Sequence, residues 1–217
     1  MSDDPETVRQ IAELASDDRP LLVLDVDDVV LEFIRPFPRY LASLGFELHF
    51  DSFSLHGNIV ERATGARLDD TRVTELIHSF YEVQGSWQTV TDDAAETLAG
   101  FGDAVEIVLL TAMPHRHRAA RRALLDSLGL AYPLLTTERA KGPAVRLLRG
   151  EHERPVAFVD DMHHNLLSVR KAVADAHLFH LMADNSIRRL LPPTPDGIIE
   201  VRSWREAGPK IASALGI

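Results

Sequence analysis

The feature that most constrains this chain is the apolar run at residues 21–24, which is followed at once by Asp25, Asp27 and Asp28. An uninterrupted run of this length is typical of a strand buried on both faces of a parallel sheet. Such strands end at the edge where α/β domains bind ligands, and three crowded carboxylates are unfavourable unless a cation meets them. Two interpretations follow: a cation-dependent site that handles phosphate, or an acidic turn that ends a strand and stays solvated.

Further apolar runs alternate with segments of helical spacing along the rest of the chain. The runs are predicted as strands over 105–110, 133–135, 155–159, 176–181 and 198–201. The predicted helices cover 4–17, 94–99, 114–128, 143–149, 164–174 and 203–215. This alternation predicts an α/β fold with parallel βαβ units in a doubly wound sheet.

Residues 31–90 have a different texture, rich in aromatic side chains and without a comparable apolar run. Helical spacing is visible over 39–44 and over 70–83, each followed by glycine. We interpret the segment as a mostly helical insertion after the first strand, with residues 1–30 and 91–217 forming the α/β core. Because no basic stripe accompanies the aromatics, they are expected to form a small core rather than a base-stacking surface.

Size and charge limit the function classes. At 217 residues, one core with a large insertion and two small domains are both compatible with the length. The net charge of −10 argues against extended contact with nucleic acid or an anionic membrane. Cysteine is absent, which excludes thiol chemistry, and no apolar stretch resembles a signal peptide or a membrane span. We therefore expect a cytoplasmic protein.

Candidate site residues, most of them with polar side chains, follow several of the predicted strands. They are Asp25, Asp27 and Asp28 after the first strand, Thr111 and Ala112 after the second, Lys141 after the third and Asp160 and Asp161 after the fourth. Because the carboxyl ends of parallel strands share one edge, these groups are expected to converge. Carboxylates such as Asp25 and Asp160 suit Mg²⁺, while Thr111, the backbone N–H groups near Ala112 and the Lys141 ammonium suit a phosphoryl group.

In these residues the chain resembles the haloacid dehalogenase (HAD) superfamily of phosphohydrolases. The first motif, D-x-D-x-[T/V], corresponds to residues 25–29, and the other three motifs correspond to Thr111, Lys141 and the pair Asp160 and Asp161. The motifs occur in the expected order, each after an apolar strand, and the resemblance covers residues 20–181. One departure is Asp28, where many members have glycine, and its role is left open.

The resemblance implies specific roles for these residues. Asp25 would be the nucleophile that forms an aspartyl-phosphate, and Asp27 would protonate the leaving group and then activate water. Magnesium would be held by Asp25, the backbone carbonyl of Asp27, Asp160 and Asp161, the last directly or through water. Thr111, Ala112 and Lys141 would bind the phosphoryl group. The insertion corresponds in position to the C1 cap, the part of such enzymes that selects the substrate.

For some of these roles, the sequence also offers other candidate residues. Arg139 and Arg146 lie near Lys141, which we prefer because it stands at the helix start just before Gly142 and Pro143, 19 residues ahead of Asp160. For four histidines near the site, we prefer a role at the surface or in contact with the substrate over a transition-metal site. They are His115, His117, His163 and His164. Residues 115–118 could bind an anionic substrate at a helix N-terminus or form a solvated basic turn.

The function expected from these observations is magnesium-dependent hydrolysis of a small phosphorylated metabolite. A phosphotransferase, a phosphonate-cleaving enzyme, a dehalogenase of the same fold and a catalytically silent binding module are the alternatives. A dehalogenase has no need of an acid two residues after its nucleophile, so Asp27 argues against it. Each of seven residues in the insertion could either contact the substrate or belong to the core of the insertion: Phe33, Phe37, Phe53, His56, Arg62, Tyr81 and Trp87.

Overall fold

The computed structural model describes residues 3–15, 17–151 and 153–217. Its strands are β1 (Leu21–Leu24), β2 (Phe46–Leu48), β3 (Ile59–Glu61), β4 (Glu106–Thr111), β5 (Leu134–Thr136), β6 (Val156–Asp160), β7 (His177–Leu181) and β8 (Ile198–Val201). In the described chain, six of them form a sheet in the order β5-β4-β1-β6-β7-β8, and every pair in it is parallel. The doubly wound parallel sheet expected from the sequence is confirmed.

Helices connect these strands and cover both faces of the sheet. They are α1 (Pro5–Ala12), α2 (Phe37–Ser43), α3 (Asp70–Val83), α4 (Ala94–Phe101), α5 (Arg118–Ser127), α6 (Lys141–Arg149), α7 (His163–Ala172) and α8 (Trp204–Leu215). Short 3-10 helices occupy Gln84–Ser86, Gly102–Ala104, His115–His117 and Asn185–Leu190.

For two of the helices, the difference from the predicted bounds has a local reason. The helix predicted over 4–17 ends at Ala12, after which Leu14 N–H bonds the Ile11 carbonyl in a tight turn; position 16 of the prediction lies outside the described residues. Helix α6 begins at Lys141 rather than at Pro143. Proline is tolerated in the first turn because its missing N–H would have no partner there.

Alternation along the central strands divides the core into two layers. On β1, Leu22 and Leu24 pack with α4 and α8 on one face, whereas Leu21 and Val23 pack with α6 and α7 on the other. This follows from the two-residue repeat of a strand. All four side chains are fully buried, so burial on both faces explains why this segment is an uninterrupted apolar run.

The insertion packs around a third cluster, which is rich in aromatic rings. Phe37 and Phe80 are fully buried in it with ring centroids 5.2 Å apart, and Phe33 lies 5.0 Å from Phe37. These rings form a core, as expected. A hairpin of β2 and β3, with Phe46 opposite Glu61 and Leu48 opposite Ile59, was not expected from the helical interpretation. Its strands are too short to produce a recognisable alternating pattern.

The two connections between the insertion and the sheet run side by side. Leu31 and Val90 form an antiparallel bridge, and Glu32 N–H donates to the Thr89 carbonyl over 2.9 Å. The chain therefore leaves β1 and returns to α4 at one place. Across the part of the chain that the structure describes, no helix combines the length and apolar character needed to span a bilayer.

Candidate active site

Three neighbouring strands of the sheet bring the predicted residues together. Asp25 directly follows β1, the central strand of the group, and its N–H donates to the Val159 carbonyl of β6 over 2.9 Å. Thr111 is the last residue of β4, on the other side of β1, and Asp160 is the last residue of β6. The strand ends therefore converge at one edge.

Lys141 links two of these carboxylates. Its Nζ lies 2.6 Å from Asp25 Oδ1 and 2.7 Å from Asp160 Oδ2, and the lysine is fully buried. Burial alone would lower the pKa of Lys141, but Asp160 and Asp25 outweigh it and the net shift is upward, so the ammonium stays charged. Arg139 and Arg146 instead bond to Asp3.

A third carboxylate, that of Asp161, lies beside Asp25 and Asp160, so the site holds more acidic groups than the one ammonium of Lys141 can neutralise. One carboxylate oxygen each of Asp25, Asp160 and Asp161 lies within 4.8 Å of the others. Burial raises the pKa of Asp25 despite the opposing Lys141, and burial together with Asp160 raises the pKa of Asp161. One ammonium does not balance three buried carboxylates. A group of hard oxygen donors with excess negative charge fits Mg²⁺.

Asp160 is held in a fixed orientation by the start of the following helix. Its Oδ1 accepts hydrogen bonds from Met162 N–H at 2.8 Å and from Asn165 Nδ2 at 3.1 Å. Its other oxygen faces Lys141. The strand and helix thus fix this carboxylate before any ligand binds, which favours a defined cation geometry.

The Asp27 carboxylate is bound by a buried arginine that is not among the residues predicted from the sequence. Arg121 Nη2 lies 2.9 Å from Asp27 Oδ1 and 3.1 Å from Oδ2, and Gln88 Nε2 donates to Oδ1 over 2.8 Å. Arg121 Nε also bonds to Gln84 Oε1, and its guanidinium lies 5.6 Å from the ring centroid of Tyr81. Charge-assisted bonds of this kind fix the orientation of the carboxylate.

The sequence did contain a sign of this arginine. Helix α5 packs Leu124 and Leu125 into the core, and Arg121 precedes them by three and four residues, so it occupies the same helix face. A charged residue on an otherwise apolar face requires a buried partner. The sequence could not identify that partner, because Asp27 lies 94 residues away.

The structure explains how an aspartate can stand at position 28, where glycine is more usual. Its φ of 57° lies in the left-handed region, where glycine is preferred and aspartate is among the tolerated residues. Its carboxylate accepts N–H bonds from Phe33 at 2.9 Å and Ile34 at 3.0 Å, which fixes the start of the insertion. Burial nevertheless raises the pKa of Asp28 to about 7.

A cavity of about 300 Å³ adjoins these groups. Its lining residues come from the strand ends and from the insertion: Asp25, Asp27, Asp28, Phe33, Ile34, Phe50, Ser52, Phe53, Ser54, Leu55, Ile77, Tyr81, Thr111, Ala112, Asp161, Met162, His164, Asn165 and Ile187. Phe33, Phe53 and Tyr81 of the suggested substrate contacts line it. Phe37 is instead fully buried in the insertion, and His56 bonds to Thr74.

The four histidines do not form a metal site. His115 contacts Asp4 and Thr136, and His117 contacts His78 at 3.2 Å. The ring of His163 packs against that of His180, whereas His164 lines the cavity. Within the described ranges, the group of three or more potential ligands is the carboxylate cluster, so the transition-metal alternative has no geometric support.

Comparisons with known proteins detect similarity in structure but not in sequence. No protein-family model matches the chain, and no curated protein matches it. A phosphatase predicted in Clostridium acetobutylicum aligns with a TM-score of 0.61 at 14% identity, covering 91% of this chain and 100% of that one. A haloacid dehalogenase-like hydrolase from Streptococcus pneumoniae aligns with a TM-score of 0.59 at 13% identity, covering 89% and 99%.

A third solved structure contains a metal ion. It is a protein from Bacillus subtilis that is described as a HAD hydrolase and is bound to magnesium. It aligns with a TM-score of 0.60 at 12% identity, covering 93% of this chain and 100% of that one. At such low identity these likenesses establish architecture. The chain has the fold of the haloacid dehalogenase-like hydrolases, as the ordered motifs suggested.

Proposed function

We propose that this protein is a magnesium-dependent hydrolase of small phosphomonoesters. The observation that carries the proposal is the arrangement around Asp25, whose buried carboxylate meets Lys141 and lies within 4.8 Å of Asp160 and Asp161. Asp27 lines the same cavity two residues later. A nucleophile, an acid and a set of cation ligands are thus available to one substrate.

The first step is transfer of the phosphoryl group to the enzyme. An oxygen of the Asp25 carboxylate attacks phosphorus, and the bond between phosphorus and the ester oxygen breaks. The leaving oxygen takes a proton from Asp27 and departs as the alcohol. The product on the enzyme is an aspartyl-phosphate at Asp25.

The second step releases phosphate. Asp27, now a carboxylate, removes a proton from a water molecule, and the resulting oxygen attacks phosphorus. The bond to Asp25 breaks, inorganic phosphate leaves and the Asp25 carboxylate is restored. Arg121 and Gln88 hold Asp27 where it can serve both steps.

Magnesium would be held by the carboxylates of Asp25, Asp160 and Asp161, with the backbone carbonyl of Asp27. When bound, it would supply neutralisation of phosphate charge. Thr111 and the Ala112 N–H would bind the phosphoryl oxygens, and both residues line the cavity. Lys141 would support the same group while keeping Asp25 and Asp160 close. Residues 31–90 would be the cap that selects the substrate.

The proposal is tested by hydrolysis of p-nitrophenyl phosphate after removal of metal with EDTA. We expect no turnover without metal and full recovery when Mg²⁺ is restored, because the carboxylate cluster lacks a balancing charge without it. Adding Ca²⁺, which prefers longer and more flexible coordination, is the matched control and should restore little activity. Equal rates with and without Mg²⁺, or no hydrolysis of any phosphate ester, would contradict the proposal.

Replacement of Arg121 by methionine is expected to lower kcat about 10²-fold, because Asp27 loses the donor that orients it. KM should change little, since Arg121 does not line the cavity. Steady-state kinetics on p-nitrophenyl phosphate measure both values, and circular dichroism checks folding. Arg121→Lys, which keeps the charge, should be less impaired. An unchanged kcat in a folded Arg121→Met variant would reject this positioning role.

A further inference from the structure

Beyond its carboxylates, the cavity is lined largely by apolar side chains. Six of them form an aromatic and aliphatic wall: Phe33, Phe50, Phe53, Leu55, Ile77 and Ile187. The first five belong to residues 31–90, and Ile187 belongs to the short helix Asn185–Leu190. A wall of this composition gains free energy by covering apolar ligand surface.

Among the described residues, His164 is the one cavity-lining side chain that can carry a positive charge. No lysine or arginine side chain lines it within the described ranges, and the Lys141 ammonium is engaged by Asp25 and Asp160. Four of the lining residues are aspartates. A second phosphate or a carboxylate on the substrate would lose its hydration beside these carboxylates, with only the exposed imidazole of His164 to face it.

Several polar side chains of the lining already have partners within the protein. Ser54 Oγ donates to the His56 carbonyl over 3.0 Å, and Ser52 Oγ accepts a bond from Asn58 Nδ2 at 2.8 Å. Asn165 Nδ2 donates to Asp160. A sugar or nucleoside would therefore exchange many hydrogen bonds with water for few with the protein, which is unfavourable.

Resting on the proposed phosphatase function, we infer that the substrate is a phosphomonoester of an uncharged, apolar alcohol, either alkyl or aryl. The phosphoryl group meets the strand ends, and the alcohol part occupies the apolar wall. A cavity of about 300 Å³ lies at the lower end of the range for ligand pockets, so the alcohol is small.

The chain length of the substrate provides the test. Across alkyl phosphates from methyl to hexyl with Mg²⁺, kcat/KM should rise about threefold for each added methylene. Glucose 6-phosphate and adenosine monophosphate should be at least about tenfold poorer than hexyl phosphate. A flat alkyl series, or faster hydrolysis of the sugar or nucleotide esters, would overturn the inferred substrate class.

A substitution in the wall adds a matched comparison. Phe53→Ala should lower kcat/KM for hexyl phosphate about fivefold to tenfold and leave that for methyl phosphate nearly unchanged. Val83→Ala, on an exposed position of α3, is the control and should change neither. Equal losses for both esters in Phe53→Ala would contradict contact between this ring and the alcohol.

Binding of alkylphosphonic acids separates this inference from the proposed function, because these compounds cannot be hydrolysed. Calorimetry with Mg²⁺ should show affinity increasing from methyl- to hexylphosphonic acid. If it does so while no phosphate ester is turned over, the proposed hydrolysis fails and the ligand class stands. If turnover occurs but affinity is independent of chain length, the phosphatase stands and the apolar class fails.

Discussion

Asp25→Asn is expected to reduce kcat for Mg²⁺-dependent hydrolysis by at least about 10⁴-fold. An amide oxygen does not form the acyl-phosphate that the first step requires, and the variant also loses one negative charge from the proposed cation site. Steady-state and single-turnover assays on p-nitrophenyl phosphate measure the loss directly.

The fold of Asp25→Asn should persist. Asparagine has nearly the same shape as aspartate, and Lys141 keeps its bond to Asp160 Oδ2. Asp92→Asn, on an exposed aspartate, is the matched control and should retain full activity. If folded Asp25→Asn kept more than about a tenth of the activity, a loss far below that expected for a nucleophile, Asp25 would have another role.

Lys141→Met should destabilise the protein by about 3–5 kcal/mol at neutral pH. The substitution leaves the carboxylates of Asp25 and Asp160 buried without their shared cation, which is a larger change than the loss of one contact. Urea unfolding at equilibrium measures the free energy of unfolding. Lys171→Met, on an exposed position of α7, should change it by less than about 0.5 kcal/mol.

The same variant should have a characteristic pH dependence. Burial already raises the pKa of Asp25 in the wild type, and loss of Lys141 removes the opposing charge. An acid whose folded pKa is raised binds more protons folded than unfolded, so stability falls as pH increases. The deficit of Lys141→Met relative to wild type should therefore be smaller near about pH 5 than near about pH 8. A constant deficit, or none, would show that Lys141 does not balance these carboxylates.

The sheet and its polar edge were predictable because both depend on local patterns. A strand buried on both faces must be apolar throughout, so residues 21–24 were identifiable without tertiary information. Right-handed crossovers between parallel strands then place the carboxyl ends of these strands at one edge of the sheet. Asp25, Thr111 and Asp160 are found at that edge. Lys141 could be chosen as a candidate because it stands at the start of the helix that follows the third of the predicted sheet strands.

Other parts of the site depend on contacts between distant segments. The partner of Arg121 is Asp27, and the partners of the Asp28 carboxylate are two backbone N–H groups, which no side-chain pattern encodes. Among the aromatic residues, Phe33 lines the cavity whereas Phe37 is wholly in the insertion core. Composition makes these two rings equivalent, so only the packing of the insertion separates them.

The central claim is that the reaction passes through a phosphoryl group on Asp25. Intact-protein mass spectrometry of Asp27→Asn, quenched after mixing with Mg²⁺ and p-nitrophenyl phosphate, tests it most directly. Nitrophenolate leaves readily without an acid, whereas hydrolysis of the intermediate needs the base that this variant lacks. The variant should therefore accumulate one phosphoryl group, located on Asp25 by peptide mapping. A phosphoryl group on another residue, or turnover at the wild-type rate with no adduct, would contradict the account.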